Sequence, residues 1–213
     1  MKDGRLLPIV PAPPAAVGVS RRAALQSLAA GIGVGLAFVL DGSIYHGSRG
    51  GAGELSAVRA GGERTERLET IASGAVIRRE LLKTGRRVRT SSDIVGLANA
   101  GDPEVLALLA ATGTEIGHSL AHVVGLLNPQ AVVVGGNLAQ AGEPFLGAIR
   151  EAVFSGARDF ALQGLVVEKS RLGHVAGVTG ASLIAQDALF EADRISRLTR
   201  GGATGVSLRV GAS

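Results

Sequence analysis

Five short stretches carry residue types that could hold or transform a ligand. The first is Gly31-Ile32-Gly33-Val34-Gly35. Glycines let a backbone approach a ligand closely, and bare amides can cradle phosphate oxygens. The stretch lacks the Lys-Ser/Thr of a P-loop, and it leads into a strand, not the helix a dinucleotide fingerprint needs. On this feature alone a tight hairpin is the favoured reading. The second is Gly51-Ala52-Gly53-Glu54, a carboxylate directly after a flexible turn. A carboxylate there can accept two hydroxyl hydrogen bonds of the strong, charge-assisted kind, which suits a sugar; a solvated loop glutamate is the plainer reading. The third places Glu69 at a predicted helix start in Arg67-Leu68-Glu69-Thr70-Ile71-Ala72-Ser73-Gly74. Its charge favours the helix dipole there, and that structural role suffices to explain it. The fourth is Gly135-Gly136 after an apolar run, at the carboxyl end of a strand, where open α/β sheets receive ligands. The fifth is Glu115, His118 and His122 on one predicted helix. The i, i+4 histidines share a face. A di-iron site needs two Glu-x-x-His motifs and the chain has one, so no metal is assigned.

The elements that must position these residues follow from periodicity and punctuation. Residues 23 to 30 and 36 to 41 are expected as strands around the glycine turn, with Ser43 to His46 as a third strand after Asp41-Gly42, a strong hairpin signal. Residues 47 to 53 form a glycine-rich loop. Helices are expected over Glu69 to Lys83, ended by Gly85, and over Ser92 to Ala100, capped by Ser91 or Ser92. The longest periodic run begins with Asp102 as N-cap and Pro103 as the first helical residue and stops at Asn128-Pro129. Its stripe includes Val105, Leu109, Ile116, Leu120, Val124 and Leu127. Ala131 to Val134 suits a strand buried on both faces of a mostly parallel sheet. A helix from Glu143 to Ala157, a strand from Leu165 to Glu168 and a helix from Thr179 to Asp193 complete the core. Strands alternating with helices predict an α/β fold.

Composition narrows the function classes. At 46% hydrophobic and 19% charged residues, the chain is far from a disordered one. Aromatics are 3% with no Trp, which leaves little for stacking single-stranded nucleic acid. The net charge of +4 is dispersed, apart from Arg86, Arg87 and Arg89, so no dense nucleic-acid stripe is present. With no cysteine there is neither disulfide nor thiolate metal site, which fits a reducing, cytoplasmic setting.

Pro8, Pro11, Pro13 and Pro14 mark residues 1–20 as an extended, disordered segment, followed by an α/β domain over residues 21–193 and a flexible tail over 194–213. Ser20-Arg21-Arg22, with the apolar run to Leu40, resembles a twin-arginine export signal. Gly31, Gly33, Gly35 and the Asp41-Gly42 turn instead favour strands and no membrane span.

The order of these features resembles the ROK family (repressors, open reading frames and sugar kinases). The signature region is carried by Gly31 to Leu36, Leu40-Asp41-Gly42, Tyr45-His46-Gly47 and Ala52-Gly53-Glu54. Leu68-Glu69 with Ala72-Ser73-Gly74, then Leu127 to Gly136, then Gly173 to Ala181 resemble later blocks, so the likeness spans residues 23 to 190. It implies an actin-like, hexokinase-like (ribonuclease H-like) ATPase fold with a mixed sheet and flanking helices, sugars as ligands, and homodimers. It also implies Glu54 and Glu69 as sugar-hydroxyl acceptors, Gly31 and Gly33 as a phosphate-side turn, and Gly135 and Gly136 as an adenosine-side contact.

The departures bear on activity. Ala29-Ala30 stand where the kinases usually have Gly-Thr, and Ser56-Ala57 where they have Gly-His. The zinc-binding cysteines are absent and the loop from Gly61 to Thr65 is short. Nothing before Ala23 resembles the family's N-terminal lobe with its catalytic aspartate, or a winged helix-turn-helix. The expectation is therefore the sugar-sensing portion of a ROK transcriptional regulator. It would have no catalytic residues, no zinc and no requirement for ATP, and would reach DNA only through a helix-turn-helix outside this chain. The alternatives are a truncated or inactive sugar kinase, or a dimerisation module without ligand.

Overall fold

The computed structural model describes residues 33–58 and 66–190. The expected strand over 23 to 30, Gly31, the twin-arginine stretch, the proline-rich segment and the tail lie outside these residues.

Glycine-rich turns and apolar runs build the first unit. Strand β1 (Phe38–Leu40) pairs antiparallel with β2 (Ser43–Tyr45) through Asp41-Gly42. Both turn residues have positive φ, 50° and 75°, as a two-residue hairpin requires. The following glycine loop folds back on this hairpin. The Leu36 amide donates to the Gly53 carbonyl at 3.1 Å. Gly53 has φ +95°, and a Cβ there would overlap the Leu36 carbonyl oxygen, so only glycine fits.

The helical part contains one break that periodicity does not show. Instead of a single helix from Glu69 to Lys83, the chain forms α1 (Leu68–Ile71) and α2 (Gly74–Lys83). Ser73 turns extended between them, with φ −146° and ψ 163°, and its hydroxyl accepts from the Val76 amide. Helix α3 (Ser91–Asn99) is capped not by Ser91 or Ser92 but by Thr90. Thr90 and Asp93 form a reciprocal capping box, with the Asp93 carboxylate accepting from the Thr90 amide at 2.8 Å. The Thr90 amide, the Arg89 amide and the Thr90 hydroxyl, each interacting with the carboxylate, hold the Asp93 carboxyl below its ordinary range.

Helix α4 (Pro103–Leu127) starts and stops as its sequence predicts. Asp102 accepts from the amides of Glu104 and Val105, and Asn128 closes the helix in a left-handed conformation at φ 43°. Arg86 bridges Asp102 and lies 3.6 Å from Glu104, so the cap also ties down the loop after α2.

After α4 come β3 (Ala131–Val134), a 3-10 turn over Leu138–Ala141, α5 (Glu143–Gly156), the short α6 (Asp159–Leu162) and β4 (Val166–Lys169). A second 3-10 turn, Gly173–Val175, leads into α7 (Ala176–Leu189). β3 and β4 run parallel, in the register Ala131 to Val166 through Val134 to Lys169. β3 is only partly buried, with Val133 37% exposed, contrary to the expectation of a strand covered on both faces. Among the described residues its one strand partner is β4.

The core is the α4–α5 pair. Gly113 faces Phe145 to Ile149, Gly117 faces Ile149 to Ala152, and Gly156 faces Ala121. The register advances in the same direction on both helices, so they run parallel, with β3 returning between them. Leu109, Val124, Ile149 and Val153 are fully buried along this seam, joined by Leu68, Ile77 and Leu81 from α1 and α2. No single helix among the described residues is long and apolar enough to cross a membrane.

Candidate functional site

The carboxyl end of β3 opens into a cleft of about 850 Å³, within the size range of small-molecule sites. Five parts of the chain form its walls. Gly33 to Leu36 lie on one side, and Gly135 and Gly136 follow β3. The starts of α2 and α3 supply Ser73, Gly74, Thr90 and Ser91, and the turn before α7 supplies Gly173 and His174. The floor is apolar, with Val134, Ile116 and Phe145 reaching the core.

Local sequence explains this openness. Gly136 has φ +91°, so the chain leaves β3 in a bend that a side chain disfavours. Gly74 lies where a Cβ would come within 3.3 Å of the Ser91 hydroxyl oxygen, which brings the starts of α2 and α3 together. Ser73 is 4% exposed and holds the α1–α2 break.

Three of the glycines singled out by sequence, Gly33, Gly135 and Gly136, line this one cleft although about a hundred residues separate the first from the others. Glu69 lies at its edge. A Cβ on Gly33 would sit 3.2 Å from Glu69 Oε1. Glu69 itself lines an adjoining hollow of about 650 Å³ that shares Ser73, Ala75 and Arg78 with the cleft. Glu54 is exposed beside Leu55, which does line the cleft, but its own side chain is not in the lining. His46 is exposed in the glycine loop.

His118 and His122 are both exposed, and the His122 Nδ1 lies 2.9 Å from the His118 carbonyl oxygen on its own helix. No group of three metal-ligating side chains occurs among the described residues.

Sequence reasoning missed the cleft's charged residues. Arg78 and Arg89 both line it, and Arg78 Nη1 donates to the Arg89 carbonyl at 3.3 Å. The cluster at Arg86, Arg87 and Arg89 is visible in sequence, but nothing there shows that Arg89 turns to the cleft while Arg86 turns to Asp102.

A hairpin, a glycine-lined cleft at the end of a parallel strand pair and flanking helices define a piece of an actin-like, hexokinase-like fold. The chain belongs to the ROK family, whose model matches residues 24–188. A glucokinase of Halalkalibacterium halodurans is 30% identical over 172 residues, covering 70% of this chain and 52% of the relative. The DNA-binding transcriptional dual regulator NagC of Escherichia coli is 29% identical over 168 residues, covering 71% and 41%. The chain thus spans about half the length of the curated relatives it matches. Among solved structures, a ROK family transcriptional regulator homologous to the Escherichia coli MLC protein superposes with a TM-score of 0.69 at 27% identity, over 79% of this chain and 47% of that one. The ROK hexokinase of Thermus thermophilus gives 0.57 at 29% identity, over 78% and 62%. The family includes both regulators and sugar kinases, and this chain is similar to both.

Proposed function

We propose that this chain is the effector-sensing portion of a sugar-responsive ROK regulator. The observation that carries this reading is the lining of the cleft. Phosphoryl transfer needs a base or positioning group for the nucleophile and carboxylate or amide ligands for the metal, all held around the phosphates. Among the described residues, no carboxylate lines this cleft. Its walls are suited to holding a ligand and supply no acidic group for transfer. The substitutions Ala29-Ala30 and Ser56-Ala57 at the family's Gly-Thr and Gly-His positions point the same way.

Glu69 is the sugar-hydroxyl acceptor in this reading. It is exposed at the cleft edge, and an ionised carboxylate offers two oxygens to neighbouring hydroxyls. Glu54, on the loop held by Gly53, is the second acceptor. Gly33 and the Gly135-Gly136 pair leave room for the ligand to approach the backbone. Binding would shift the intact protein between conformations only as far as the sugar binds one of them better.

The test is calorimetric titration of hexoses into the wild type, Glu69→Gln and Glu54→Gln. A lost charge-assisted hydrogen bond is worth about 1.5–3 kcal/mol, or roughly ten- to a hundred-fold in affinity. The reading predicts such a loss at Glu69 and no ADP formation when ATP is added. ATP-dependent sugar phosphorylation at ordinary enzyme rates would replace it with the kinase reading that the 30% identity to a glucokinase favours.

A further inference from the structure

Helix α2 has one face in the core and one face free. Ile77 and Leu81 are fully buried where α2 packs on α4 and α3. Its outer face carries Arg78, Arg79, Leu82 and Lys83, all exposed, and Leu82 is 53% exposed. Because the chain breaks between α1 and α2, this face does not run on as a plain helical surface. It lines the hollow of about 650 Å³ that Glu69 and Thr70 of α1 complete. Val76, Arg79, Leu82 and Lys83 line this hollow and not the glycine-lined cleft.

The free face combines an apolar centre with an excess of positive charge. Ala75 and Leu82 lie two helical turns apart and so share a side of α2. Arg79 and Lys83 flank Leu82 and share one carboxylate, Glu80, at 3.1 and 2.7 Å, which leaves one positive charge over. Arg87, just beyond the helix, is exposed, whereas Arg86 is taken up by Asp102 and Glu104. Glu69 is the one acid in the lining of the hollow. From Arg78 to Arg89 six basic residues stand against one acid, while the whole chain has a net charge of +4, so this segment accounts for all of the positive excess.

Exposed ion pairs contribute little one by one, whereas covering an exposed leucine is the larger gain. A partner for this face must therefore bring an apolar group as well as negative charge. A nucleic-acid backbone brings phosphates but nothing apolar to cover Leu82. An acidic amphipathic helix brings both, with apolar anchors at helical spacing and carboxylates beside them. From this we propose that the outer face of α2 docks an acidic amphipathic helix of a partner protein, with Leu82 as the apolar anchor and Arg79 and Lys83 as the charged rim. The rim charges steer the encounter and set its orientation more than they add affinity. The inference is independent of sugar sensing, since none of these three side chains lines the cleft.

Fluorescence anisotropy of the full chain tests this with three labelled probes: an amphipathic helical peptide of leucine and glutamate, its leucine and lysine counterpart, and a short DNA duplex. The variants are Leu82→Gln, Arg79→Gln/Lys83→Gln and Arg171→Gln. Arg171 is exposed and outside both hollows, so it controls for general surface charge. Glutamine keeps helix propensity close to that of the residues replaced, circular dichroism establishes folding, and Leu82→Ala serves if Leu82→Gln is unstable. The expected result is binding of the glutamate peptide and not of the lysine peptide. Affinity should fall about ten-fold in Leu82→Gln and up to about ten-fold in the double variant, whose net charge around Glu80 reverses sign. It should weaken as salt is raised and stay unchanged in Arg171→Gln. Equal binding of the two peptides, binding indifferent to both α2 variants, or no peptide binding overturns the proposal. Tighter binding of the duplex than of the glutamate peptide, lost in the double variant, also overturns it and makes this a nucleic-acid face. Hexose titrations of the same variants should match the wild type, so a failure of sugar sensing and a failure of α2 docking are read separately.

Discussion

Replacing Gly117 by alanine puts a methyl group where α4 and α5 leave no room for one. A Cβ at this position would lie 2.6 Å from both the Ala152 Cβ and the Ile149 carbonyl oxygen, and 3.2 Å from the Ile149 Cα. Two of these three atoms are backbone and cannot rotate away, so the helices must separate along a fully buried seam. Overpacking of this kind costs up to about 3 kcal/mol. Alanine returns about 1 kcal/mol of helix propensity relative to glycine. The net expectation is a loss of about 2 kcal/mol. Gly125, two turns further along the same helix, has nothing within 4 Å of its would-be Cβ and is exposed. There the propensity term acts alone, and Gly125→Ala should stabilise by about 0.5–1 kcal/mol. In a domain of this size 1 kcal/mol moves Tm by about 2–4 °C. Thermal melts of the two variants should therefore move in opposite directions, Gly117→Ala down by about 4–8 °C and Gly125→Ala up by a few degrees. A Gly117→Ala protein as stable as Gly125→Ala would refute the parallel, glycine-mediated seam.

Three further expectations follow from caps and turns. Asp102→Ala removes the N-cap of α4 and the partner of Arg86, and should cost about 1–2 kcal/mol in chemical denaturation, with Asp102→Asn recovering the capping part. The Asp93 carboxyl is depressed by its amide bonds, so its contribution to stability is fully present above the ordinary aspartate pKa of about 3.9 and is lost as pH falls through the depressed value. Asp93→Asn should flatten that acid limb of the stability curve, and an unchanged limb would contradict the capping box. Gly53→Ala meets both a positive φ and the Leu36 carbonyl, so it should release the glycine loop, seen as faster amide exchange at Leu36.

The parts of the fold that were legible in sequence are those where one residue type has one physical use. Asp102-Pro103 marks a helix start because the aspartate caps and proline has no amide to satisfy, and α4 begins there. Asp41-Gly42 demands positive φ at both positions, and the hairpin turns there. The α1–α2 break was hidden because Ala72-Ser73-Gly74 does not interrupt the helical pattern, and it is the Ser73 hydroxyl accepting from the Val76 amide that reveals the cap. Thr90, Ser91 and Ser92 are three adjacent hydroxyl residues, any of which can cap. The decisive signal was Asp93, three residues after Thr90 in capping-box spacing. For the site, the sequence singles out Gly33, Gly135 and Gly136 as places of close backbone approach, and these three line the cleft, while Gly31 lies outside the described residues. Arg78 and Arg89 were not legible as cleft residues, since direction along a helix and loop depends on packing that local pattern does not encode.

The central claim is that the glycine-lined cleft at the end of β3 is a small-molecule sensing site. Hydrogen–deuterium exchange of the full chain with and without glucose, glucose 6-phosphate and ATP tests it most directly. The account predicts ligand-dependent protection at Gly33–Leu36, around Ser73–Arg78 and Arg89–Ser91, and at Gly135–Asn137, with no change at the exposed end of α4. Protection confined to surfaces away from these four segments, or none with any compound at saturating concentration, would contradict it.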